Sequence, residues 1–182
     1  MALEHPHPAN ARYFDREFAT EAVKILPGEY FATADATAIS TLLGSCVSVC
    51  LYDRISGVGG MNHFLLPELR QGGKAVRCAG DCTATCCARY GSCAIELLLQ
   101  RLEQLGASRA RLEAKLFGAG RMMAGMVDIG EKNAAFAREH LRGVGIPVVA
   151  SDLGERSPRR IIFFPATGQV FVKRVREFPA GT

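Results

Sequence analysis

The chain has 182 residues, 48% of them hydrophobic and 22% charged, with a formal net charge of +4. That balance excludes a disordered or fibrous chain, and the length suits one domain with a substantial core. The small positive excess gives no argument for nucleic acid, although it suits an acidic protein partner.

In chain order, residues 1–20 read as a polar, flexible extension without the apolar segment of a signal peptide, which leaves a single domain over 21–178. Short strands are predicted over Glu29–Thr33, Thr37–Leu43, Cys46–Tyr52 and Val58–Leu66, with a turn over Asp53–Gly57. Residues 67–88 read as a connection. A helix follows over about Ser92 to Leu105, with Ile95, Leu98, Leu99 and Leu102 on one face and Gly106 at its stop. Ala110–Gly118 reads as a strand and GAGRMMAGM as a glycine-rich loop. A second helix is expected from near Asp128, where Asp128 and Glu131 have capping-box spacing, to Gly143 or Gly145. IPVVASD reads as a strand and RIIFFPATGQVFVKRV as a hairpin turning at Pro165–Gly168. The pattern predicts a mixed α+β (α/β) fold in one domain. No run of about 18 apolar residues exists, so no spanning helix and no direct membrane insertion are expected.

Cys46 raises the chemical question. It follows a Gly44-Ser45 corner and precedes an alternating strand. A free thiol has a pKa near ~8.5, so it becomes a useful nucleophile when a histidine can take its proton. If Cys46–Tyr52 pairs with Val58–Leu66, the start of the first strand meets the end of the second, and His63 approaches Cys46. The other histidines are less well placed: His5 and His7 lie in the extension, and His140 on the polar side of a helix. The plainer alternative is a core thiol beside a satisfied histidine. Gly44 admits two readings as well: a plain turn glycine, or a residue that tolerates positive φ and lets a carbonyl come close. The N–H groups of the Gly44-Ser45-Cys46 corner could hold an oxyanion, and Asn62 beside His63 is a further candidate for contact with substrate.

The stretches ISTLLGSCVSVCLYD, GGMNHFLLP, RYGSCAIELLL, LGASRARLEAKLFGAGRMM, DIGEKNAAFAREHLRGVGIPVVASDLG and PATGQVFVKRV resemble, in the same order, the CheD family of chemotaxis proteins. The resemblance runs from about Lys24 to Val175. It implies a cysteine-hydrolase fold similar to the catalytic domains of cytotoxic necrotizing factors, with central mixed β-sheets flanked by helices. It implies a cytoplasmic protein-glutamine deamidase (glutaminase) that converts glutamines on the cytoplasmic helices of methyl-accepting chemotaxis receptors to glutamate, with no metal or organic cofactor. Cys46 would be the nucleophile and His63 the base. The family's third participant is a hydroxyl six positions before the cysteine. Counting gives Ser40, which is taken as that participant; Thr41 is adjacent but would point the other way in a strand, and is held in reserve. The resemblance also allows another role, an adaptor that binds the chemotaxis phosphatase CheC and modulates it.

RCAGDCTATCCARYGSC stands apart. Cys78, Cys82 and Cys86 recur every four residues, with Cys87 and Cys93 nearby. The spacing matches no common zinc pattern. A redox-sensitive cluster is the other chemical reading, and small residues in a connection the plain one.

Overall fold

The computed structural model describes residues 10–68, 70–71, 74–75, 88–121 and 129–175. Its elements in chain order are β1 (Ala11–Asp15), β2 (Thr20–Lys24), β3 (Tyr30–Thr33), β4 (Ala38–Leu43), β5 (Val47–Asp53), β6 (Val58–Asn62), β7 (Arg70–Gln71), β8 (Lys74–Ala75), α1 (Gly91–Gln104), a 3-10 turn at Arg109–Arg111, β9 (Glu113–Gly118), α2 (Ile129–Gly143), β10 (Val148–Leu153), β11 (Arg159–Phe164) and β12 (Gln169–Arg174). The expected mixed α+β class is what forms.

Two five-stranded mixed sheets carry the fold, in the orders β1-β2-β4-β11-β12 and β10-β9-β5-β6-β3. Two parallel pairs, β2 with β4 and β9 with β10, sit among antiparallel ones. Strand alternation sends each face to a different core. Cys50, Tyr52 and Met61 meet Ile39, Leu43, Ile161 and Phe163 of the facing sheet. Val47, Val49, Leu51 and Phe64 point the other way, onto Ile95, Leu98 and Leu99 of α1 and Ala137 and Leu141 of α2.

Both α-helices among the described residues stop by the same device. Gly106 takes φ +99°, donates to Glu103 O, and Ala107 donates to Leu102 O. Gly145 (φ +74°) and Ile146 repeat those bonds onto Arg142 and Leu141. These are Schellman endings, in which a left-handed residue lets the chain satisfy its last carbonyls. Gly145, rather than Gly143, therefore ends α2.

Two elements depart from the sequence reading. Residues 11–15, expected in a flexible extension, form β1 in register with β2. Asp15 and Tyr13 lock it down: Arg160 donates to Asp15 Oδ2 at 2.7 Å and to the Tyr13 hydroxyl at 3.1 Å. Strand β6 stops at Asn62, short of the expected Leu66. There the Asn62 Oδ1 takes the Val49 N–H at 2.9 Å in place of a backbone carbonyl. Pairing resumes beyond it as an antiparallel bridge between Val47 and Phe64.

Candidate active site

His63 follows Asn62, and strand alternation points its backbone groups to the β3 side. His63 N donates to Glu29 O at 2.9 Å, and Gly28 N donates to His63 O at 2.8 Å. Its side chain enters the space between the two sheets and is almost fully buried. There the Thr41 hydroxyl lies 2.8 Å from Nδ1. The same hydroxyl donates its one hydrogen to Ile25 O, also at 2.8 Å. Thr41 can then only accept from the ring, which places a proton on Nδ1 and leaves Nε2 as the basic nitrogen. Nε2 is buried and accepts no hydrogen bond. Burial lowers the His63 pKa to about 4, so the ring is neutral at physiological pH.

The bridge between Val47 and Phe64 fixes where the thiol stands. Cys46 and His63 flank the two bridged residues, so they share the face opposite Val47 and Phe64 and are diagonal neighbours. Cys46 is half-buried and reduced. Burial pushes its thiol pKa up, and its own backbone N–H partly counters that. No hydrogen bond joins Sγ to Nε2 in this structure. The resting pair is therefore neutral thiol and neutral imidazole, without a preformed thiolate.

The corner before Cys46 is held through its carbonyls. Gly44 O accepts from Gly120 N at 2.7 Å, and Cys46 O from Ala119 N at 2.8 Å. Ser45 O accepts from the Asn133 side chain at 3.3 Å. Among the described residues, no backbone carbonyl takes the N–H of Ser45 or Cys46. The glycine that this packing demands is Gly118, at φ +109°, where a Cβ would be driven into the Cys46 carbonyl. Gly44 is not among the positive-φ residues.

The structure brings together Cys46, His63, Thr41 and the Gly44-Ser45 corner, and it sets two expected residues apart. Ser40 turns to the outer face of β4, where its hydroxyl lies 2.8 Å from that of Tyr13. It does not meet His63, because Ile39, Thr41 and Leu43 form the inner face and Ser40 is out of phase with them. Asn62 also points away from the imidazole, toward Val49 on the helix side. Asn133 was not singled out by sequence reasoning. A signal existed: Gly130, Asn133, Ala137 and Leu141 form the buried stripe of α2, and a polar side chain on such a stripe needs partners. Of the clustered cysteines, Cys78, Cys82, Cys86 and Cys87 lie outside the described residues, and Cys93 sits half-buried in the first turn of α1.

These features define an α+β protein whose two sheets meet at a thiol–imidazole site. A family described as CheD chemotactic sensory transduction matches residues 66–174. A protein of Methylobacillus flagellatus named probable chemoreceptor glutamine deamidase CheD is 48% identical over 172 residues, covering 93% of this chain and 82% of its own. One of Shewanella oneidensis, named probable chemoreceptor glutamine deamidase CheD 1, is 48% identical over 178 residues, covering 97% and 81%. A third, of Janthinobacterium sp., is 45% identical over 182 residues, covering 99% and 86%. The chain belongs to the CheD family.

Proposed function

We propose that this protein is a glutamine deamidase of chemotaxis receptors, with Cys46 as nucleophile and His63 as base. One observation carries the reading: the imidazole has Nδ1 tied to Thr41 and an unused, buried Nε2 on the face it shares with Cys46. A structural histidine buried this deeply would be expected to have both nitrogens satisfied.

The chemistry follows from the neutral starting pair. As Sγ forms a bond to the carboxamide carbon, its proton passes to Nε2, because neither group is charged beforehand. In an unliganded site such a hydrogen bond is often open and closes only around substrate. The carbonyl oxygen gains the negative charge and is held by the N–H groups of Ser45 and Cys46. The Nδ1–H bond to Thr41 steadies the imidazolium, which then protonates the leaving nitrogen. The C–N bond breaks, ammonia departs and a thioester remains. Water attacks the thioester with Nε2 as base, the C–S bond breaks, and the thiol regains its proton. The product is glutamate, one negative charge on the receptor for each event. No step needs a cofactor.

Incubation of a purified chemoreceptor cytoplasmic fragment with this protein tests the proposal. The expected result is a gain of about one dalton per converted glutamine, abolished by Cys46→Ala. A gain that survives Cys46→Ala removes the thiol from the reaction. Absence of any gain, with measurable binding to CheC, favours the adaptor role.

A further inference from the structure

Three successive peptide carbonyls around the thiol are captured: Gly44 O by Gly120 N, Ser45 O by Asn133 Nδ2 and Cys46 O by Ala119 N. Only the middle one is taken by a side chain. In a trans peptide the C=O and the following N–H point in opposite directions, so whatever holds the Ser45 carbonyl also aims the Cys46 N–H. Asn133 is fully buried, and its second Nδ2 hydrogen goes to Leu65 O at 2.8 Å. The register that pairs Val47 with Phe64 sets Leu65 opposite Cys46. One carboxamide thus ties the segment bearing the thiol to the segment bearing His63.

The seat of Asn133 is fixed in turn. Gly130, one turn earlier on α2, lies so close to Ala119 that a Cβ would come 2.6 Å from the Ala119 oxygen. Ala119 is the residue that holds the Cys46 carbonyl. Helix α2 is therefore pressed onto the corner at one point and reaches across it at the next.

We infer that Asn133 is a positioning residue for the deamidation: by holding the Ser45 and Leu65 carbonyls together it directs the Cys46 N–H at the oxyanion. The inference rests on the proposed deamidase reading. The residue type is constrained. Alanine leaves two buried carbonyls without a donor, and aspartate sets a carboxylate against them.

The test compares two reactions of one sulfur. Attack on a carboxamide builds an oxyanion; alkylation by iodoacetamide displaces iodide at a saturated carbon and builds none. In Asn133→Ala, kcat for deamidation is expected to fall about 100-fold, with KM changed less than about threefold. The rate and pH profile of iodoacetamide labelling at Cys46, followed by peptide mass, stay within about threefold of wild type. Retained turnover overturns the inference. So does a parallel fall of turnover and alkylation, which marks a merely structural role. Asn133→Asp preserves the side-chain volume and carries the same expectation if the alanine variant fails to fold. If the wild type deamidates nothing, that result strikes the deamidase reading. The clamp is then judged on the Cys46 amide: its nitrogen–proton NMR signal is expected to shift and exchange faster in Asn133→Ala, and an unchanged signal overturns it.

Discussion

Strand β5 has two ends built on opposite principles. At its C-terminal end the buried Asp53 carboxylate is saturated. It accepts from Ile55 N at 3.0 Å, from Ser108 N at 3.0 Å and from Arg111 through Nε at 3.1 Å and Nη2 at 2.7 Å. The Arg111 hydrogen bonds, ahead of the backbone ones, hold its pKa far below the usual carboxylate range. Around the N-terminal end, buried polar atoms have no partner: Ser48 Oγ, Asn62 Nδ2, His63 Nε2 and Asn133 Oδ1. A protein rarely leaves such groups unpaired, since each costs about 1–3 kcal/mol. One end of the strand is arranged to stay folded and the other to have hydrogen-bonding capacity in reserve. Two of them, Ser48 Oγ and His63 Nε2, lie on the face shared with Cys46, while Asn62 and Asn133 approach from the helix side.

Four perturbations would break or sharpen this contrast. The largest effect is expected from Asp53→Ala, which strands the Ile55 and Ser108 donors and the Arg111 fork. Urea unfolding should show a loss of about 3 kcal/mol, while the folded fraction keeps its turnover. A loss of activity without a loss of stability would erase the contrast. Next comes Thr41→Val, close in shape but unable to accept from Nδ1. Turnover is expected to fall roughly 10- to 100-fold with little change in KM, because the ring loses its tautomer and its support as imidazolium.

A smaller signal lies in pH. The His63 pKa falls from an unperturbed value near ~6.5 to about 4 on folding. Between those values the unfolded chain binds a proton that the folded chain does not, so stability falls as pH drops from ~6.5 toward 4 and is fully present above that window. His63→Gln should flatten this part of the pH–stability curve. Turnover should follow the same sign: its acid limb lies below the pKa of a free histidine, since the neutral ring persists there. An acid limb at or above that pKa would contradict the burial argument. The smallest effect belongs to Ser40→Ala, expected to leave turnover within about twofold of wild type, because its hydroxyl faces Tyr13 across the outer side of β4.

Most elements were legible because apolar alternation and helical spacing carry them. β5 and α1 read clearly, and so did the turns at Asp53–Gly57 and Pro165–Gly168. β1 was not legible: it is held by Tyr13, Asp15 and Arg160, and a distant ion pair leaves no periodic trace. At the site, Cys46 and His63 could be placed together from hairpin arithmetic alone. Counting back six positions across a corner chose Ser40, whereas the hydroxyl set against His63 is that of Thr41. The phase of Ile39 and Leu43, which brackets Thr41 on the inner face, held that information. Asn62 was misplaced for a related reason. Its neighbour His63 faces the gap between the sheets, so its own side chain must face the helices.

The most direct measurement is the tautomer of His63. Nitrogen-15 NMR of the ring at neutral pH distinguishes a protonated nitrogen from one with a free lone pair. The account predicts a neutral ring with the proton on Nδ1, bonded to Thr41, and the lone pair on Nε2; in Thr41→Val the preference should weaken. A proton resident on Nε2 at neutral pH, or a ring already charged there, would leave Cys46 without a base and would contradict the account.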